Sequence, residues 1–107
     1  MSEPSSVEVT DNPDATRYEA HVGEQLAGFA RYVRRGGRTF FVHTEIDKAF
    51  GGQGIGTALV RGALDAERAA GTPIVPLCPF VRAYVERHPD YDDIVDAGLV
   101  ASIDGDG

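Results

Sequence analysis

The chain of 107 residues is 42% hydrophobic and 25% charged, which fits one globular domain over residues 7–100 between frayed ends at 1–6 and 101–107. It contains no apolar run long enough to span a bilayer and no basic or apolar leader at its N-terminus, so a cytoplasmic protein is expected. Ten Lys and Arg against seventeen Asp and Glu, a net charge of −7, argue against nucleic acid or an anionic membrane as partner, and the one cysteine, Cys78, excludes an internal disulfide and a multi-cysteine zinc site.

Residues 7–10 alternate and predict a short first strand, closed by the turn-forming Asp11-Asn12-Pro13-Asp14. Tyr18, Ala20 and Val22 alternate with Arg17, Glu19 and His21, the pattern of a half-buried strand, and Gly23-Glu24 reads as a tight turn. Residues 26–33 continue as a strand that stops at Arg34-Arg35-Gly36-Gly37-Arg38, where paired glycines permit a hairpin. Because Arg31, Arg34, Arg35 and Arg38 surround that hairpin in an acidic chain, they read as a solvated turn.

Residues 39–46 predict a central strand, with Phe40, Val42, Thr44 and Ile46 on one face and Phe41, His43 and Glu45 on the other. From Gly54 onward Ile55, Leu59, Ala63, Ala66 and Ala70 recur near helical spacing, with Arg61, Asp65, Glu67 and Arg68 on the solvent side and Gly71 as the stop. Residues 73–77 follow as a short apolar strand, parallel to 39–46 because a helix has intervened, and Pro76 limits its pairing. Pro79 fits a first helical position and puts Cys78 at the N-cap, after which Phe80, Val81, Tyr84, Val85 and His88 repeat helically up to Pro89. Ile94, Val95, Leu99 and Val100 suggest a last short element.

Between the central strand and its helix lies Gly51-Gly52-Gln53-Gly54-Ile55-Gly56-Thr57. Glycines that open a helix leave free backbone N–H groups with the helix dipole behind them, an arrangement suited to an anion and above all to phosphate. The plain alternative is a flexible turn. A P-loop needs a lysine after its second glycine, and Gly56-Thr57-Ala58 has none; a dinucleotide fingerprint from Gly52 meets Thr57 where a third small residue belongs.

The remaining order, an antiparallel meander, a strand, a glycine turn, a helix and a parallel strand, resembles the GNAT superfamily of acyl-CoA N-acyltransferases. That superfamily reads Arg/Gln-x-x-Gly-x-Gly/Ala at the turn, which residues 51–56 match except that Gly51 stands in first place. A closer resemblance, to the short GNAT-like N-acetyltransferase subfamily, runs from His43-Thr44-Glu45 through the glycine turn and Pro76-Leu77-Cys78-Pro79-Phe80-Val81 to His88-Pro89-Asp90-Tyr91. It implies a minimal GNAT-like α/β fold, a mostly antiparallel sheet with one parallel pair and two main helices. The implied cosubstrate is acetyl-CoA, the implied acceptor a primary amine on a small molecule or protein, and the alternative is a CoA-binding or regulatory module without turnover.

Under that resemblance the backbone of Gly51, Gly52, Gln53, Gly54, Ile55, Gly56 and Thr57 would hold the CoA pyrophosphate. Arg82, early in the last helix, could reach a CoA phosphate, as could Lys48; for both a solvated surface charge is the simpler reading. Cys78, which the family offers as a proposed catalytic residue, sits at a helix N-cap, a position that favours a thiolate; a buried packing cysteine is its alternative. Glu45 and His43, at the strand end before the turn, are candidate bases for the incoming amine and equally plain strand residues. His88 reads first as a helix C-cap, and Tyr84 and Tyr91 as packing.

Overall fold

Two glycine turns and three alternating runs make the first half of the chain fold on itself as successive hairpins. In the computed structural model, which describes residues 7–96, β1 (Val7–Asn12), β2 (Arg17–Val22), β3 (Gln25–Arg35) and β4 (Arg38–Ile46) each pair antiparallel with the next. Gly36 and Gly37, at φ 61° and 76°, form the β3–β4 turn in a conformation that side chains resist. A 3₁₀ turn, Lys48–Phe50, leads through the glycines to α1 (Ile55–Ala70), and β5 (Ile74–Pro76) then joins β4 in parallel, completing a sheet of order β1-β2-β3-β4-β5. α2 (Pro79–Arg87) and a 3₁₀ turn, Pro89–Ile94, follow. This is the minimal α/β architecture expected, a mostly antiparallel sheet with one parallel pair and two main helices.

Both helices pack on one face of the sheet. Ile55, Leu59, Val60, Ala63 and Leu64 of α1 and Val81, Tyr84 and Val85 of α2 share a core with Tyr18, Ala20, Ala30, Tyr32 and Phe41. Each large apolar side chain buried there contributes about 1.5–3 kcal/mol. Gly62 lets α1 lie close on the sheet, since a Cβ at that position would stand 2.7 Å from Val9. Among the described residues no helix is long and apolar enough to cross a membrane. Val95 bridges Ile74, while Leu99, Val100 and the expected frayed ends lie outside the described residues.

Two face assignments change. Along β4 the buried residues are Thr39 and Phe41, with Phe40 half-buried and Val42 exposed. The register against β3 jumps from Arg31↔His43 to Tyr32↔Phe41, so Val42 is the extra residue of a β-bulge, and a bulge exchanges the faces on its two sides. Along α1, Ala66 and Ala70 are exposed and Glu67 is buried. Val60 and Leu64 widen the apolar stripe toward Glu67, whose carboxylate is accommodated because three donors reach it.

Those donors are the Tyr18 hydroxyl, Thr39 Oγ1 at 2.8 Å and Arg34 Nη2 at 2.8 Å. Arg34 also bonds Asp11, at 3.2 Å, and lies over the Tyr32 ring, while the Tyr32 hydroxyl donates to Asp11. Burial, then the hydrogen bond to Glu67, raises the Tyr18 pKa, and burial with the bond to Asp11 pushes Tyr32 up to about 12. Burial works to lower the Arg34 pKa, and the bond to Glu67 and its charge outweigh it and raise it. Arg34 is therefore a structural ion inside a network that ties β1, β2, β3 and β4 to α1.

Candidate active site

The strands β4 and β5 pair only from Thr39↔Ile74 to Phe41↔Pro76, as the proline at that point leads one to expect. The Phe41 carbonyl accepts from both Leu77 N, at 3.0 Å, and Cys78 N, at 2.8 Å, which closes the pairing. Beyond it β4 bulges at Val42 and continues to Ile46 beside β3, while the chain after β5 turns away into α2. Among the described residues, the β4 edge over this last stretch has no strand partner, and open N–H and C=O groups on such an edge can bind an extended amide-bearing chain.

Both helices begin next to this gap. Gly54, at φ 75°, is the N-cap of α1, and no side chain caps the helix; its first internal bond is Ala58 N to Gly54 O, at 3.1 Å. Helix geometry therefore leaves the N–H groups of Ile55, Gly56 and Thr57 without an intrahelical carbonyl. Gly51, Gly52, Gln53 and Gly54 are exposed, with Gly52 at φ 78°. The 3₁₀ turn before them is held by the Asp47 carboxylate, which accepts from Ala49 N at 2.9 Å. The Ile55 side chain is in the core, so only its backbone faces this turn. Gly56 lies under Phe80: a Cβ there would come within 2.5 Å of the ring. Phe80, expected on the apolar face of α2, is seated over Gly56 instead, where it remains 43% exposed and brings the first turns of α1 and α2 together.

Cys78 is the N-cap of α2 with Pro79 in the first turn, as its neighbour's fixed φ requires. It is 4% exposed, and its Sγ donates to Thr44 Oγ1 at 3.4 Å, across the gap between β4 and α2. Thr44 pairs with the buried Ala30 and so shares the helix-covered face. His43 and Glu45, its neighbours, point to the other face, where His43 Nε2 and Glu45 Oε1 are 3.2 Å apart and the side chains are 57% and 64% exposed. The structure thus pairs Glu45 with His43 and Cys78 with Thr44, on opposite faces of one strand.

Arg82 lies one turn after Cys78, its backbone N–H bonded to the Cys78 carbonyl at 2.9 Å, and its side chain is half-buried; Lys48 is exposed in the 3₁₀ turn. His88 caps α2 through its backbone bond to Val85 and stacks on Tyr84 at 4.1 Å, and Tyr84 and Tyr91 are buried, so these three serve as cap and packing. Burial, with the hydrogen bond to Asp65, raises the Tyr91 pKa. Thr44 and Phe80 are the members of this region that residue patterns alone did not single out. Thr44 had a signal, a hydroxyl between the two candidate bases; Phe80 had its place in the Cys78-Pro79-Phe80-Val81 run next to the candidate cysteine.

The sequence model of the GCN5-related N-acetyl-transferase family matches residues 17–94, which take in the sheet from β2 onward, both helices and every residue just described. No curated protein matches the chain.

Proposed function

Since the chain belongs to the GCN5-related N-acetyltransferase family, we propose that it transfers the acetyl group of acetyl-CoA to a primary amine. The observation that carries the reading is the uncapped start of α1, opening beside the point where β4 and β5 part. The pyrophosphate of CoA takes the free N–H groups of Gly52 to Thr57, where backbone dipoles and the helix end favour negative charge. Gly51 contributes backbone alone, and in this reading Arg82 and Lys48 add charge to the phosphates. From there the pantetheine arm lies along the open β4 edge and its amides pair with the strand.

In this reading the amine nitrogen attacks the thioester carbon. A C–N bond forms, the C–S bond breaks, the electron pair leaves on the CoA sulfur, and the amine gives up a proton through the His43–Glu45 pair or a water beside it. Backbone N–H groups of β4 beyond the bulge polarise the carbonyl oxygen as it gains charge. The burial of Cys78 against Thr44 favours direct transfer over an acetylated cysteine, and leaves Cys78 to shape the floor of the gap. The exposure of His43 and Glu45 favours a second reading, a CoA-binding module without turnover, because an enclosed base is the stronger one for such a step.

Release of CoA across a panel of amines and lysine peptides, run beside a thermal shift with acetyl-CoA, tests both. A shift with product supports the transferase, a shift without product supports the module, and no shift at millimolar acetyl-CoA rejects both.

A further inference from the structure

The face of the sheet opposite the helices carries a hollow of about 280 Å³ lined by Val33, Phe40, Val42, Leu77 and Arg35. Four of the five are apolar, and Val33 and Val42 are exposed, so the hollow presents apolar surface to water. It abuts the gap already described, because Val42 is the bulged residue at which β4 leaves β5 and Leu77 directly precedes Cys78. At its rim the charge is unbalanced. Of the three arginines next to the β3–β4 turn, Arg34 is bound by Glu67 and Asp11 and Arg38 by Asp96, whereas the Arg35 side chain makes no hydrogen bond or ion pair among the described residues. In a chain of net charge −7 an arginine left without a carboxylate, next to an apolar hollow, is complementary to a ligand that supplies both.

We propose that this hollow is the acceptor subsite and that the acceptor is a small amine bearing an apolar group and a carboxylate, in chemical terms an apolar amino acid. The proposal rests on the acetyl-transfer reading. The apolar group fills the hollow against Phe40 and Leu77, the carboxylate pairs with Arg35, and the amine is left directed to the β4–β5 gap. A volume near the lower limit of small-molecule sites, about 300 Å³, suits a ligand of this size rather than a protein surface. The product is an N-acetylamino acid, and CoA leaves with the electron pair of the broken C–S bond.

The test is an amide NMR titration of the whole chain, without acetyl-CoA, using N-acetylleucine and its analogue lacking the carboxylate, N-acetylisoamylamine. N-acetylleucine is expected to shift Val33, Val42 and Leu77 saturably and to bind about tenfold more tightly than the analogue, the worth of one charge-assisted hydrogen bond. Arg35→Gln, at an exposed position that leaves the fold intact, is expected to remove that tenfold and leave the analogue's affinity unchanged. Equal affinities, no shift at these residues, or shifts at them that grow with protein concentration alone, as a second copy in the hollow would produce, overturn the proposal. A chain that binds N-acetylleucine in this way and ignores acetyl-CoA overturns the transferase reading instead, so the two fail separately.

Discussion

Helix α1 treats polar groups in opposite ways at its two ends. At its first turn Gly54 offers no capping side chain, and backbone N–H groups are left open beside exposed glycines. About three turns later Glu67 is 1% exposed, and Tyr18, Thr39 and Arg34 satisfy it from three strands. One end leaves donors unused and the other spends three on a single carboxylate. Buried polar groups cost stability unless they are paired, so pairing at Glu67 serves the fold, while open donors in water at the first turn cost the fold little and are free to serve a ligand.

The sharpest way to break this contrast is Glu67→Ala, which strands three donors and the Arg34 charge. Allowing for the exposure of Arg34, it is expected to cost about 2–4 kcal/mol, a drop of roughly 4–8 °C in Tm for each kcal/mol, with acetyl-CoA affinity unchanged while the protein remains folded. Gly56→Ala is expected to do the reverse. Its Cβ displaces the Phe80 ring, a movable side chain, so that Tm changes little, yet it crowds the open N–H groups and lowers acetyl-CoA affinity about tenfold by calorimetry.

Alkaline titration separates the two ends without a mutation. Tyr18 and Tyr32 hold their protons more tightly folded than unfolded, where a tyrosine titrates near about 10. Their stabilisation is therefore complete below about pH 10 and is lost as pH rises through the folded values, about 12 for Tyr32. Thermal melts are expected to fall over that range, and Tyr18→Phe to flatten the fall. The smallest effect is expected at Cys78→Ala, which removes one weak bond to Thr44 and should leave kcat within about threefold, since a direct transfer forms no acetyl-cysteine. A loss of kcat of a hundredfold or more would restore the covalent route.

Much of this was readable in the residues. Alternation located β2, the paired glycines located the β3–β4 turn, Pro76 marked where β5 stops pairing, and Pro79 fixed Cys78 at an N-cap. What escaped was set by partners distant in the chain. The bulge at Val42 arises from the match with β3, and the alternation of β4 alone gives no sign of which residue is extra. Glu67 falls four residues after Ala63, on the buried stripe, but its residue type argued for solvent; only the convergence of Tyr18, Arg34 and Thr39 pays its desolvation cost. The same holds at the candidate site, where the bulge decides that Thr44 meets Cys78 while His43 and Glu45 face the other side.

Amide NMR during an acetyl-CoA titration reads directly where acetyl-CoA meets the protein. Saturable shifts are predicted for the amides of Gly52, Gly54, Gly56 and Thr57, with those of β4 from Val42 to Ile46 following in the same binding curve, and none at Glu67. Saturation with those glycine amides unmoved, or no saturation at millimolar acetyl-CoA, would contradict that placement.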